Sequence, residues 1–297
     1  MPTTLSQAGT HGHGANLRTF FARYVTARAA ARDPRIEAAF ASVPREPFAG
    51  PGPWSIPVAG PWSNRRGAPA YVQTPDDDPA FLYQDVLIAL DRERGINIGE
   101  PSLHARCLDA LSPQPGETVL QVGAGSGYYT ALLAELVGTR GRVHAFEIDP
   151  SLAARAARNL MPWPQAVVEA RSGADDGLPE ADAIYVNAGL TQPNWAWLEA
   201  LRAGGRLLFP LQPEHGWGGM LLVRKPIEGG LAWPARFVSR AAFIACRARQ
   251  DDALGRGLAA AFAGGGFEGV RSLRLDDAPD GTCWFKGGDW WLSTREL

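Results

Sequence analysis

Cysteine is scarce in this chain, with three in 297 residues. Cys107, Cys246 and Cys283 are far apart and odd in number. That excludes a disulfide frame and a zinc site, and it points to reduced thiols in the cytoplasm. Histidine is nearly as rare, with five. His11 and His13 stand close together, but no Cys, Asp or Glu lies beside them. They read as part of a disordered polar tail, and no metal is expected. Long apolar runs are missing too. None approaches the roughly 20 residues of a membrane-spanning helix, so no membrane partner is expected. The opening residues, MPTTLSQAGTHGHGANL, lack the apolar core of a secretory signal. Neither sign of charge is in excess. The formal net charge is −2, so no global field draws the chain to nucleic acid or to an anionic membrane.

What is present fits a soluble enzyme. A hydrophobic fraction of 45% supplies a sizeable core, and the length suits one large domain or two small ones. The most informative stretch is 119–150, VLQVGAGSGYYTALLAELVGTRGRVHAFEIDP. Val119, Leu120 and Val122 predict a short buried strand. Gly123, Gly125 and Gly127 then form a G-x-G-x-G turn. A dinucleotide-binding turn has its third glycine one place later, where this chain has Tyr128. The spacing therefore leans away from NAD and toward S-adenosyl-L-methionine. A helix follows over 129–137, and its first N–H groups face the turn and can donate to a ligand. A second strand over 142–146 ends at Glu147, about 20 residues past the glycines, where a carboxylate can bind two ribose hydroxyls. Asp149 is expected to cap a helix beginning at Pro150.

Around this unit the pattern predicts a tail over 1–16 and a helical and irregular subdomain over 17–100. A Rossmann-like domain is expected over 101–225, and an α+β segment over 226–297. Leu17, Phe20, Phe21, Tyr24 and Val25 share a helical face. Asp33-Pro34 starts a second helix. Residues 45–80 read as ordered but irregular, with Trp54, Trp62 and Tyr71 seeking burial. Pro101 begins another helix. AVVEA (166–170) and DAIYVNA (182–188) predict further strands. The second ends in Asn187, a polar group where an open sheet places its site. Strands at 204–211 and 219–225 complete the alternation. The fold class is therefore α/β, a doubly wound and mainly parallel sheet. In the last segment Gly264-Gly265-Gly266 stops a helix, and Lys286-Gly287-Gly288 suggests a hairpin. Trp290 and Trp291 point to opposite faces of its strand, with the outer one expected to pack on the main domain.

Several blocks together resemble the protein-L-isoaspartate (D-aspartate) O-methyltransferase family. DPRIEAAFASVPREPF (33–48) resembles its N-terminal helix and Val-Pro-Arg-Glu-x-Phe signature. YQDVLIAL (83–90) and INIGEPSLHA (96–105) resemble its strand and active-site loop. DAIYVNAGLTQP (182–193) and LRAGGRLLFPL (201–211) resemble its fourth and fifth strands. The resemblance covers about 33–225. It implies a Rossmann-like methyltransferase fold and S-adenosyl-L-methionine as cofactor. The implied partner is a peptide or protein carrying a free isoaspartyl carboxylate, methylated as a step of repair. A carboxylate is ionised at neutral pH, so it can attack the sulfonium methyl without a general base.

Position by position, the resemblance implies that Gly123, Ala124, Gly125, Ser126 and Gly127 line the methionine part of the cofactor and that Glu147 binds its ribose. His104 matches a family histidine near the cofactor. Asn97, Ile98 and Gly99 match a Thr-Ile-Ser loop beside substrate and cofactor, with Asn97 and Gly99 on the reacting side. Three positions depart from the pattern. The family's active-site serine is Gly99 here. The acid ending the first strand is Gln121, whose amide hydrogen-bonds but carries no charge. The aspartate near the adenine amino group falls at Gly173, with Asp175 nearby as a substitute. The departures leave two alternatives. One is the same fold acting on another acceptor, such as an aspartate of a modified peptide or a small molecule. The other is a non-catalytic binding relative. Nucleic-acid methylation is disfavoured, since there is no Asn/Asp-Pro-Pro-aromatic run and no basic stripe.

Overall fold

The computed structural model describes residues 7–58, 71–214, 216–246 and 252–297. The N-terminal region starts with α1 (Gln7–Ala29), so helix already occupies much of the stretch read as a tail. Extending a formed helix backward costs far less than nucleating one. The buried face of α1 is Phe21, Ala22, Val25 and Ala29. Phe20 and Tyr24, expected on that face, are 66% and 39% exposed and stack on each other instead. The small side chains of Ala22 and Ala29 set the packing stripe, and the larger aromatic rings fall beside it. Asp33 caps α2 (Pro34–Ser42) by accepting from Arg35 N–H. The short α3 (Glu46–Ala49) follows, then β1 (Ser55–Pro57) paired antiparallel with β2 (Tyr71–Gln73). Trp54 is buried and Tyr71 half-buried; Trp62 lies outside the described residues. A hairpin of β3 (Ile88–Asp91) and β4 (Ile96–Ile98) leads into α4 (Pro101–Leu111).

The glycine unit folds as its sequence dictates: β5 (Thr118–Val122), α5 (Tyr128–Val137), β6 (Arg142–Phe146) and α6 (Pro150–Asn159). Asp149 caps α6, accepting from Ser151 N–H and Leu152 N–H. Then come β7 (Ala166–Glu169), β8 (Ala181–Val186), α7 (Trp195–Ala200) and β9 (Leu201–Leu211). β10 (Gly218–Arg224), β11 (Ala232–Ala241), α8 (Asp252–Gly264), β12 (Ser272–Arg274), β13 (Cys283–Lys286) and β14 (Trp291–Ser293) complete the chain.

One ten-stranded sheet has the order β13-β14-β12-β11-β10-β9-β8-β5-β6-β7. From β7 to β9 every neighbour is parallel, as expected of a Rossmann-like methyltransferase. From β9 outward the pairing is antiparallel. The last segment is thus the continuation of the central sheet across residue 226. Successive strand residues serve opposite layers. Val119 and Leu208 pack with α1, α2, α4 and α5, while Leu120, Leu207 and Phe209 pack with α7 and α8. Covering both faces accounts for the nearly continuous apolar runs of the parallel strands. Trp290 and Trp291 are both buried. The Trp290 ring lies where a Cβ on Gly287 would be, 2.1 Å away, which fixes glycine in that hairpin loop.

Candidate active site

β5 ends at Val122, and the chain must leave the sheet and enter α5 within a few residues. It does so through Gly123, Gly125 and Gly127, with φ of 81°, 58° and 93°, a region that side chains disfavour. The turn is pinned from β6. Gly123 N–H and Ala124 N–H donate to the Phe146 carbonyl at 2.9 and 3.1 Å. Gly125 N–H donates to Glu147 Oε2 at 2.7 Å, and Asp149 N–H donates to Oε1 at 3.0 Å. Each carboxylate oxygen keeps a further lone pair for a ligand. Burial raises the Glu147 pKa above the usual carboxylate range, against the pull of these N–H groups.

A cavity of about 1130 Å³ opens over this turn. Gly123, Ala124, Gly125, Ser126 and Glu147 line it, with Gly173 and Asn187 beside them. Ser126 Oγ and Asn187 Oδ1 are buried and have no hydrogen-bond partner among the described residues. Buried polar atoms are almost always paired, so this wall suits a polar ligand. Three expected site residues are off the wall. Gly127 makes room for the side chains of Ala156 and Leu160, 3.3 and 3.2 Å from where its Cβ would be. Gln121 is buried under α5, where its Oε1 accepts from Thr130 Oγ1 at 2.6 Å. Asp175 is exposed and does not line the cavity. At Gly173 a Cβ would lie 2.8 Å from Phe146 Cβ and 2.9 Å from Val122 Cγ2, so the strands leave no space for an aspartate there.

The facing wall is built by the β3–β4 hairpin and α4. Ile98 pairs with Ile88 and Asn97 with Ala89, which brings Asn97, Ile98 and Gly99 to the cavity. The hairpin tip is anchored by Arg94, whose guanidinium bridges Asp91 and Asp149. α4 is capped from a distance, since Ser102 N–H donates to Asp85 Oδ1 at 2.8 Å. One turn in, His104 is 2% exposed. Its ring stacks on Tyr129 with centroids 3.5 Å apart, and its Nδ1 lies 2.6 Å from the Tyr185 hydroxyl. The Tyr129 hydroxyl also donates to the Gly99 carbonyl at 2.8 Å. Burial lowers the His104 pKa to about 3, so the imidazole is neutral at physiological pH.

The facing wall is completed by the segment that sequence reasoning left without a role. Ser239 to Cys246 border the cavity. Gln212 clamps this segment, accepting from Phe243 N–H at 2.8 Å and donating to its carbonyl at 2.9 Å. Phe243 sets its ring edge-on to His104. Trp217 stands at the rim, 64% exposed. Arg247 and Gln250, considered for this site from sequence, lie outside the described residues. Tyr129, Tyr185 and Phe243 were missed as partners of His104. Tyr185 carried a signal, because a tyrosine inside the apolar run DAIYV needs a polar partner for its hydroxyl.

Comparison with known proteins agrees with this geometry. Residues 71–235 match the model of the protein-L-isoaspartate(D-aspartate) O-methyltransferase family. A protein-L-isoaspartate O-methyltransferase of Aeropyrum pernix is 40% identical over 148 residues, 48% of this chain and 56% of that protein. The first relative is therefore matched over little more than half its length. One from Pyrobaculum arsenaticum is 31% identical over 220 residues, 72% of this chain and 91% of that protein. Among solved structures, a protein-L-isoaspartate O-methyltransferase superposes with a TM-score of 0.59 at 20% identity, covering 83% of this chain and 69% of its own. A Plasmodium falciparum protein solved with S-adenosyl-L-homocysteine gives 0.58 at 16% identity, covering 78% and 99%. Both structures share the fold. By family model and by relatives alike, the chain belongs to the protein-L-isoaspartate(D-aspartate) O-methyltransferase family.

Proposed function

We propose that this chain is an S-adenosyl-L-methionine-dependent carboxyl O-methyltransferase acting on isoaspartyl carboxylates of damaged peptides and proteins in the cytoplasm. The observation that carries the reading is a single cavity with two unlike walls. One presents Glu147 with Ser126 Oγ and Asn187 Oδ1, which have no partner among the described residues. The other presents the 97–99 loop and a neutral imidazole. The first fits a ligand with ribose hydroxyls and an amino-acid tail: Glu147 holds the ribose, and Gly123 to Ser126 hold the tail through backbone and hydroxyl groups. When bound, S-adenosyl-L-methionine supplies an electrophilic methyl group on a sulfonium.

The protein's work is alignment and exclusion of water. Asn97 and Gly99 border the acceptor, Ile98 and His104 lie where the two ligands meet, and Arg94 holds the hairpin against the cofactor wall. No base is needed, because the acceptor is already an anion. Bringing two opposite charges together out of water and in line supplies the rate. The proposed partners are peptides and proteins; among the described residues no helix is long and apolar enough to cross a membrane.

The test is methyl transfer from labelled cofactor to two peptides identical except for aspartyl or isoaspartyl linkage. Base-labile label on the isoaspartyl peptide alone is expected. Label on neither, in protein that binds the cofactor, overturns the substrate. Gly99 favours a second reading, the same reaction on another carboxylate, because the serine of the matched loop is missing.

A further inference from the structure

The wall facing the cofactor lacks the hydroxyl that the matched loop carries at position 99, and another group stands in its place. A Cβ added to Gly99 would lie 2.1 Å from His104 Nε2 and 2.8 Å from its Cδ2. The nitrogen edge of the imidazole fills the space from which any residue-99 side chain would project. The ring cannot swing away cheaply. Tyr129 stacks on one face, Phe243 meets it edge-on, and Tyr185 holds Nδ1. Tyr129 also grips the Gly99 carbonyl, so loop and ring are fixed relative to each other.

Donor and acceptor preferences assign the imidazole proton. The Tyr185 hydroxyl has two neighbours, the His104 Nδ1 and the buried Cys107 thiol, itself pushed up to about 12 by burial and so un-ionised. A phenol O–H donates to an imidazole nitrogen in preference to a thiol sulfur, a weak acceptor. Nδ1 then accepts, and the proton sits on Nε2. Among the described residues nothing hydrogen-bonds Nε2, and His104 lines the cavity.

We propose that His104 Nε2–H takes the place of the missing hydroxyl and holds one oxygen of the acceptor carboxylate, with Gly99 required because any side chain there would displace the ring. The inference rests on the carboxyl methyltransferase reading. In the transfer, the second oxygen forms the bond to the methyl carbon. The carbon–sulfur bond breaks with its pair left on sulfur, and the negative carboxylate and positive sulfonium cancel. No proton moves, and His104 stays neutral throughout. Because the carboxylate loses charge on the way to the ester, this hydrogen bond is strongest before reaction. Its loss therefore raises KM more than it lowers kcat.

A double-mutant cycle tests the exchange. His104→Ala is expected to raise KM for the isoaspartyl peptide roughly tenfold to a hundredfold, the range for a hydrogen bond to a charged group. Gly99→Ser alone should do comparable harm by collision with the ring. The double variant, which restores a hydroxyl and removes the collision, should recover most of the loss. His104→Gln, which keeps an N–H at similar reach, should lie nearest the parent. In every variant S-adenosyl-L-homocysteine affinity, read by calorimetry, should fall by less than the peptide KM rises, since the lost hydrogen bond is to the acceptor. Additive losses in the double variant, or equal losses in His104→Gln and His104→Ala, overturn the proposal. Should the parent methylate no isoaspartyl peptide, the functional reading fails, and NMR of nitrogen-labelled histidine decides the inference. Protein loaded with S-adenosyl-L-homocysteine is titrated with acetate, with His104 assigned from His104→Gln. An Nε2–H signal that moves with acetate supports it. An Nδ1–H tautomer, or a signal indifferent to acetate, overturns it.

Discussion

The two walls of the cavity are made in different ways. The cofactor wall is mostly backbone: the stretch from β5 to Glu147, with Gly173 and Asn187 beside it, is held by three glycines at positive φ and a carboxylate on the Gly125 amide. The opposite wall is mostly side chain. His104 from α4, Tyr129 from α5, Tyr185 from β8 and Phe243 beyond β11 meet around one ring. A wall of backbone constrains residue type at fixed spacing, because only glycine turns that way cheaply. A wall of side chains constrains distances between residues far apart in sequence, and any one of them looks like ordinary core.

Restoring an acid on the cofactor wall is the strongest way to break the comparison. Gly173→Asp places a Cβ within 2.8 Å of Phe146 and 2.9 Å of Val122 and buries a charge at the base of the site. Overpacking and an unpaired buried carboxylate together should cost at least about 3 kcal/mol. Urea unfolding at neutral pH should show it, and a fully stable variant would mean that this wall yields as side-chain walls do. Next in size is Glu147→Ala, which removes the acceptor for Gly125 N–H and, in the proposed reading, for the ribose. Cofactor affinity should fall roughly tenfold to a hundredfold, the worth of hydrogen bonds to a charged group. Calorimetry with S-adenosyl-L-homocysteine reads it directly.

The walls should also answer acid in opposite senses. His104 is held at about 3 in the folded chain, against about 6.5 when unfolded. Its contribution is therefore full above the unfolded value and is lost as pH falls toward the folded one. Between pH 7 and pH 5 the loss should be about 2 kcal/mol. The raised pKa of Glu147 works the other way: its buried carboxylate is a penalty that protonation relieves as pH falls through the folded value. Unfolding at the two pH values, for the parent and for His104→Gln, separates them. The glutamine variant should lose the His104 share of the acid sensitivity. If it keeps all of it, the imidazole is not the group responsible.

How much could be read beforehand follows the same division. The strand–turn–helix–strand unit, the Asp149 cap and the parallel pairing up to β9 are local or follow from alternation, and the sequence carries them openly. The lining role of Gly123 to Ser126 and Glu147 came with them. The face of α1 was assigned in part: Phe21 and Val25 are buried as expected, but Ala22 and Ala29 complete the stripe in place of Phe20 and Tyr24. Gly173 looked like a lost acid because close approach of Phe146 and Val122 leaves no mark in the sequence. The role of the final segment was hidden for a related reason. Phe243 is held at the cavity by Gln212 and His104, which lie far from it in sequence, so neither β11 nor Phe243 announces a place there.

Asp175 offers the finest test of the division. Sequence spacing made it the natural substitute for the acid missing at 173, since two residues lie within the play of a loop. In the structure it is exposed and away from the lining, and Ala174 is its neighbour on the wall. An exposed carboxylate at that remove is screened by water, and its charge is worth less than about 0.5 kcal/mol to a bound ligand. Asp175→Asn should therefore change S-adenosyl-L-homocysteine affinity less than about twofold, with unfolding unaltered. A larger loss would mean that the 173–177 loop rearranges when the cavity fills. The cofactor wall would then be backbone at its glycine turn and side chain at its far edge, and the contrast between the two walls would narrow to the turn itself.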